Sequence, residues 1–236
     1  SICWRRYEYQ CHCISILKNY RSFFNFENTN RTILSMKLSS ILIGITFLIS
    51  SCGNNSSSLN KADYTKSMVT ALIEIPSESL EKWELNKNTG RIERDSIDKQ
   101  PRTIDYLGYP ANYGMIPGTI LTKSNGGDGD PLDVLFLESP MEKGTLIKCN
   151  IIGVLQLTDN GERDDKLIAI TRNSSINKVK TIEELDLMYN GISQIIEIWF
   201  CNYKRNKSTV SLGYESLDKA LNILELAQNE YSKANP

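Results

Sequence analysis

Asp128-Gly-Asp-Pro-Leu-Asp-Val-Leu-Phe-Leu137 joins a bent acidic turn to a short apolar run. The run reads as a strand; the turn before it packs three carboxylates into six residues, with glycine and proline to bend the chain. Such a cluster makes a poor core and a costly surface unless positive charge sits among it. A second cluster, Asp159 and then Asp164-Asp-Lys166, follows about thirty residues on. Carboxylate oxygens with no thiolate or imidazole nearby select Mg2+, Mn2+ or Ca2+ over zinc or copper. An EF-hand loop fails on detail: Asp133 stands where its glycine belongs, and Ser139 where its bidentate glutamate belongs.

On either side of that turn, alternating or short apolar runs at residues 68–75, 82–85, 134–137, 146–157 and 166–170 read as strands separated by Gly, Asn, Asp and Pro turns. No βαβ rhythm links them. Helices come late. Thr181-Ile-Glu-Glu184 has the form of a capping box, Ile192, Ile195, Ile196, Trp199 and Tyr203 follow helical spacing, and residues 216–231 put Leu217, Ala220, Leu221 and Leu224 on one face. The expected fold is α+β, mainly β: a small, OB-like five-stranded antiparallel barrel flanked by C-terminal helices.

The single histidine, His12, lies in an odd leader, which removes a Ser-His-Asp triad, a phosphohistidine and a His-metal centre from consideration. Of six cysteines, only Cys149 and Cys201 fall in the domain, both in apolar runs that suit buried thiols. Residues 1–35 precede a good start at Met36 and are expected to be a non-native or disordered extension. Residues 36–51 have a positive start and an apolar run well short of the ~20 residues of a spanning helix, the pattern of an export signal. Ile49-Ser-Ser-Cys52 resembles a bacterial lipobox, making Cys52 the lipidated first residue and 52–64 a polar tether to a domain over 65–236. This predicts a lipid-anchored protein of the cell envelope, with a cytoplasmic location as the alternative. Taking the six basic and two acidic side chains before Cys52 from totals of 27 and 28 leaves 21 and 26, a net charge of −5 and no basic patch for nucleic acid.

Other segments carry chemistry only in company. Lys166 follows the second acidic cluster, where it suits either a salt bridge or a phosphate oxygen. Lys82 and Glu84 flank Trp83 and would share one side of a strand, downstream of Glu74-Ile-Pro76. Tyr109-Pro-Ala-Asn-Tyr-Gly114 is dense in turn formers and phenols, suited to donate to an anion or to pack rings on the core. Tyr203-Lys204 closes a helix, where a lysine also complements the dipole.

Together these segments resemble the family I inorganic pyrophosphatases. Asp128 to Val134 matches the signature D-x-D-P-x-D-V, and the order Glu-Ile-Pro, Lys-x-Glu, Tyr-Pro-x-Asn-Tyr-Gly, signature, Thr-Asp…Asp-x-Lys, Tyr-Lys is kept from about residue 65 to Lys204. The resemblance implies Mg2+-dependent hydrolysis of pyrophosphate, with several ions per site and Mn2+ as a substitute. It implies metal ligation by Asp128, Asp133, Asp159 and Asp164, with Glu74 acting through water. Asp130 would lie among the metals as a further ligand and accept a proton from the attacking water. Lys82, Tyr113, Lys166, Tyr203 and Lys204 would hold the phosphoryl groups, supported by Glu84 and Tyr109. The family's arginine before the Tyr-Pro motif falls in a longer segment here, so Arg94 or Arg102 fills the role, with Arg102 preferred. Asp165 occupies a variable place and is not expected to bind metal. Homo-oligomers, hexamers in bacterial members, are implied too. Two rivals remain: a non-catalytic metal- or phosphate-binding lipoprotein, and a hydrolase of another phosphoanhydride such as tripolyphosphate or a nucleotide.

Overall fold

The apolar run after the acidic turn does form a strand, and it sits inside a ring of five. The structure, a computed structural model, is described for residues 66–205 and 208–235. The segments read as extension, signal and tether, Cys52 included, lie outside the described residues. In chain order the strands are β1 (Met68–Ile75), β2 (Trp83–Asn86), β3 (Arg91–Arg94), β4 (Ser96–Ile97), β5 (Gln100–Pro101), β6 (Asn112–Met115), β7 (Asp133–Phe136), β8 (Leu146–Asp159), β9 (Glu162–Arg163), β10 (Lys166–Thr171) and β11 (Thr209–Glu215). The helices are α1 (Ile182–Met188), α2 (Ile192–Asn202) and α3 (Leu217–Ala234).

Backbone pairing runs β1-β6-β7-β10-β8, and β8 also pairs with β1, so these five strands form a closed ring of hydrogen bonds. Four of the contacts are antiparallel, as the sequence suggested; β7 and β10 run parallel. The 14-residue β8 makes this possible, because its start serves β1, its middle β10 and its end the outlying β11.

Uninterrupted apolar runs arise where a strand is covered on both faces. β10 is buried at all six positions. Along β7, Val134 and Phe136 pack in a core shared with Ala220 and Leu224 of α3, whereas Leu135 and the following Leu137 join Leu185 of α1 and Ile196 and Trp199 of α2. Alternate side chains of one strand thus feed two cores. Gly153 in β8 lets α1 close in: a Cβ there would stand 2.4 Å from the Ile182 side chain and 2.8 Å from the Glu215 carbonyl oxygen. The capping box forms with a shift of one residue. Thr181 accepts from the Glu184 N–H at 3.2 Å, while the Glu184 carboxylate reaches back to the Lys180 N–H at 2.8 Å.

Beside the ring stand two small hairpins, β2–β3 and β4–β5, each a two-stranded sheet of its own. The run read as 82–85 is a strand beginning one residue later. β3, β4, β5, β6, β9 and β11 went unread, although β11 carries alternating Val210, Leu212 and Tyr214. Cys149 is a buried free thiol and Cys201 a half-buried one. Among the described residues no helix is long and apolar enough to cross a membrane.

Candidate active site

Parallel pairing places the starts of β7 and β10 side by side, with Lys166 directly opposite Asp133. The Lys166 ammonium, 2% exposed, donates to Asp133 Oδ2 at 2.6 Å and to Asp164 Oδ1 at 2.5 Å. Burial alone would drive its pKa down, but Asp133 and Asp164 outweigh burial and hold it above the ordinary lysine value. Ahead of β7, Gly129 adopts φ +92°, a left-handed conformation that glycine takes without strain. The Asp128 carboxylate then accepts from the Asp130 N–H at 2.8 Å. Asp159, at the end of β8, pairs with Lys204 and accepts from the Ser208 hydroxyl at 2.5 Å. Burial raises this carboxyl, yet those two bonds and the nearby Lys166 bring it below the usual range.

β6 carries Tyr113 into the same place. Burial, together with Asp133 and Asp164, keeps its phenol well above the ordinary value, so it stays a hydrogen-bond donor. Gly114 beside it is compulsory, since a Cβ would lie 1.9 Å from the Leu72 carbonyl oxygen. Tyr203, the C-cap of α2, stacks on Trp199 at 4.4 Å, and Tyr109 leans on the same indole at 4.8 Å. The Trp199 N–H donates to the Leu107 carbonyl at 2.9 Å, which fixes the stack.

Across from this wall stands the β2–β3 hairpin. Lys82 contacts Asp95 at 3.1 Å and Glu84 at 3.4 Å, and Arg102 meets the same Asp95 at 3.1 Å. Burial notwithstanding, those two cations lower the Asp95 pKa. Arg94 lines the cleft too, and it holds Glu81 at 2.7 Å, the Thr103 hydroxyl and the Arg102 carbonyl. The buried Glu74 carboxyl, 7% exposed, accepts from the Leu85 N–H at 2.8 Å. Burial raises its pKa to about 7, aided by Asp133 and Glu84 and opposed by Leu85 and Lys82.

These walls enclose a cleft of about 810 Å³. Every site position singled out in the sequence apart from Cys52 lines it: Glu74, Lys82, Glu84, both candidate arginines Arg94 and Arg102, Tyr109, Tyr113, Asp128, Asp130, Asp133, Asp159, Asp164, Lys166, Tyr203 and Lys204. Asp165 lines it too but is committed to the Leu157 N–H at 3.2 Å and Arg163 at 2.5 Å, in keeping with a supporting place. Sequence reading missed Asp95, which clamps Lys82 and Arg102 together, and Lys87, which reaches Asp130. Both look like ordinary surface charges until the hairpin folds over the cleft.

Ten carboxyl-bearing and seven basic side chains line the cleft, so it is net negative. Among the described residues no three carboxylates already stand as a cation cage, because lysines sit between them. The donor chemistry nonetheless fits hard divalent cations: carboxylate oxygens, with no thiol or imidazole lining the cleft.

A family model described as inorganic pyrophosphatase matches residues 71–232. The chain is 34% identical over 165 residues to an inorganic pyrophosphatase of Rickettsia conorii, covering 68% of this chain and 90% of that one. It is 31% identical to one from Helicobacter pylori, covering 68% and 89%. Among solved structures, a Helicobacter pylori inorganic pyrophosphatase superposes with TM-score 0.60 at 30% identity, over 72% of this chain and 96% of the other. One from Schistosoma japonicum gives TM-score 0.68 at 25% identity, over 73% and 69%.

Proposed function

This chain belongs to the inorganic pyrophosphatase family and is an inorganic diphosphatase, and from that premise we propose that it hydrolyses pyrophosphate with Mg2+ while anchored by lipid at Cys52. The observation that carries the catalytic part is the meeting, in one cleft, of an acidic wall with lysines, an arginine and phenols suited to phosphate oxygens. A net negative cleft does not take up a polyanion unaided. Asp128, Asp130, Asp133, Asp159 and Asp164 would hold the ions, with Glu74 acting through water; Mn2+ would substitute. When bound, the ions supply positive charge against the polyanion and acidify water.

The chain's own side chains then bind and orient. Lys166, Lys204, Lys82 and Arg102 bring positive charge to the phosphoryl oxygens, and Tyr113 and Tyr203 donate hydrogen bonds that fix their orientation. Asp95 keeps Lys82 and Arg102 in register, while Glu84 and Tyr109 support the cation and the ring stack. Asp130 accepts the proton of the attacking water as one phosphate leaves. None of the motifs addresses a base or ribose, which favours the smallest phosphoanhydride over tripolyphosphate or a nucleotide.

Phosphate release with Mg2+ from pyrophosphate, tripolyphosphate and ATP tests the substrate. Pyrophosphate is expected to be turned over fastest, and equal rates on all three would overturn the preference. Asp130→Asn is expected to abolish turnover with the fold intact; a wild-type rate would remove Asp130 from the proton's path. The anchor is tested by fatty-acid labelling of wild type and Cys52→Ala. Label on wild type alone supports a cell-envelope lipoprotein, and an unlabelled wild type supports a cytoplasmic enzyme. Sedimentation reads the homo-oligomer that the family resemblance implies.

A further inference from the structure

Lys87 lies in the turn between β2 and β3, at the tip of a hairpin that shares no strand pairing with the barrel. The hairpin is tied to β1 through the Leu85 N–H on Glu74. From there it extends over the cleft, and the Lys87 ammonium pairs with the Asp130 carboxylate, both side chains more than half exposed. The same pattern occurs twice more on the acidic wall, where Lys166 holds Asp133 and Asp164 and Lys204 holds Asp159. Those two lysines are both among the residues read as phosphate ligands. A carboxylate that gives its oxygens to a divalent cation releases its ammonium, and an ammonium released at the mouth of a cleft meets an incoming polyanion as a point charge.

We propose that Lys87 is a further pyrophosphate-binding residue, latched on Asp130 until divalent cations load the acidic wall. The proposal rests on the diphosphatase reading of the cleft. It exchanges charge partners only; no bond is made or broken. Its signature is two effects of opposite sign. Removing the ammonium frees Asp130 for cations while depriving the substrate of a contact.

The test uses the full chain, Lys87→Ala and Lys87→Arg. Calorimetric titration with Mg2+ in the absence of substrate is expected to show Lys87→Ala binding the ion about two- to fivefold more tightly than wild type, the worth of an exposed ion pair. Its KM for pyrophosphate is expected to rise about tenfold, with kcat changed far less. Lys87→Arg keeps the charge and is expected to track wild type in both. Weaker or unchanged Mg2+ binding together with an unchanged KM overturns the proposal, and so does a fall in both affinities, which marks a merely structural role. If wild type releases no phosphate from pyrophosphate, the diphosphatase reading fails on its own account, and the latch is then judged by the titration, where unchanged Mg2+ binding overturns it.

Discussion

Lys166 and Lys87 both hold carboxylates of the acidic wall, yet one is 2% exposed at the start of a barrel strand and the other sits in a hairpin turn with 63% of its side chain in solvent. The first is placed by a closed ring of backbone hydrogen bonds and by packing on both sheet faces. The second is placed by a two-stranded arm. Charge fixed in the barrel is part of what holds the chain together, whereas charge on the arm is available for binding and costs the fold little.

The largest expected effect probes the barrel side. Lys166→Met leaves Asp133 and Asp164 crowded without their cation, and urea unfolding without divalent metal is expected to show a loss of about 3–5 kcal/mol. A loss below about 1 kcal/mol would break the contrast. Glu74 sharpens it next. Its folded carboxyl keeps a proton up to about pH 7, while the unfolded chain releases it near 4.5. This group's contribution to stability therefore falls as pH rises between those values. Glu74→Gln keeps an acceptor for Leu85 and is expected to remove that fall, gaining up to about 3 kcal/mol over wild type at pH 8 without metal. Parallel stability-pH curves would refute the assignment. On the arm side, Arg102→Ala is expected to cost about ten- to a hundredfold in kcat/KM with near-native stability. Arg94→Ala should do the reverse, losing up to about 1 kcal/mol of stability with kcat/KM within about twofold. Equal kinetic losses would make both arginines substrate ligands.

The same contrast explains what could be read from the residues. Leu167 to Ile170 and Val134 to Leu137 announced themselves as strands because a two-faced core demands apolar side chains at every position. β6 hid inside a turn-like string because Gly114 answers to the Leu72 backbone, not to periodicity. β11 offered a legible alternation of Val210, Leu212 and Tyr214 that went unread; Val210 and Leu212 turn to solvent on this outlying strand. The acidic hexapeptide was legible since its three carboxylates are neighbours in the chain. Asp95 and Lys87 were not, since each acquires its meaning from residues brought close by the hairpins. Likewise, sequence alone does not show that Arg102 shares the Asp95 carboxylate with Lys82, whereas Arg94 pairs with Glu81.

The β4–β5 hairpin leaves and re-enters the arm at one point: the Arg102 N–H donates to the Asp95 carbonyl at 2.7 Å, and Asp98 and Lys99 turn the chain with φ of +51° and +65°. A detour whose two ends are already fastened to each other transmits little of its own length to the rest of the molecule. Its tip is accordingly a natural point for grafting a fluorophore or an epitope, reporting on the enzyme without reaching the reaction.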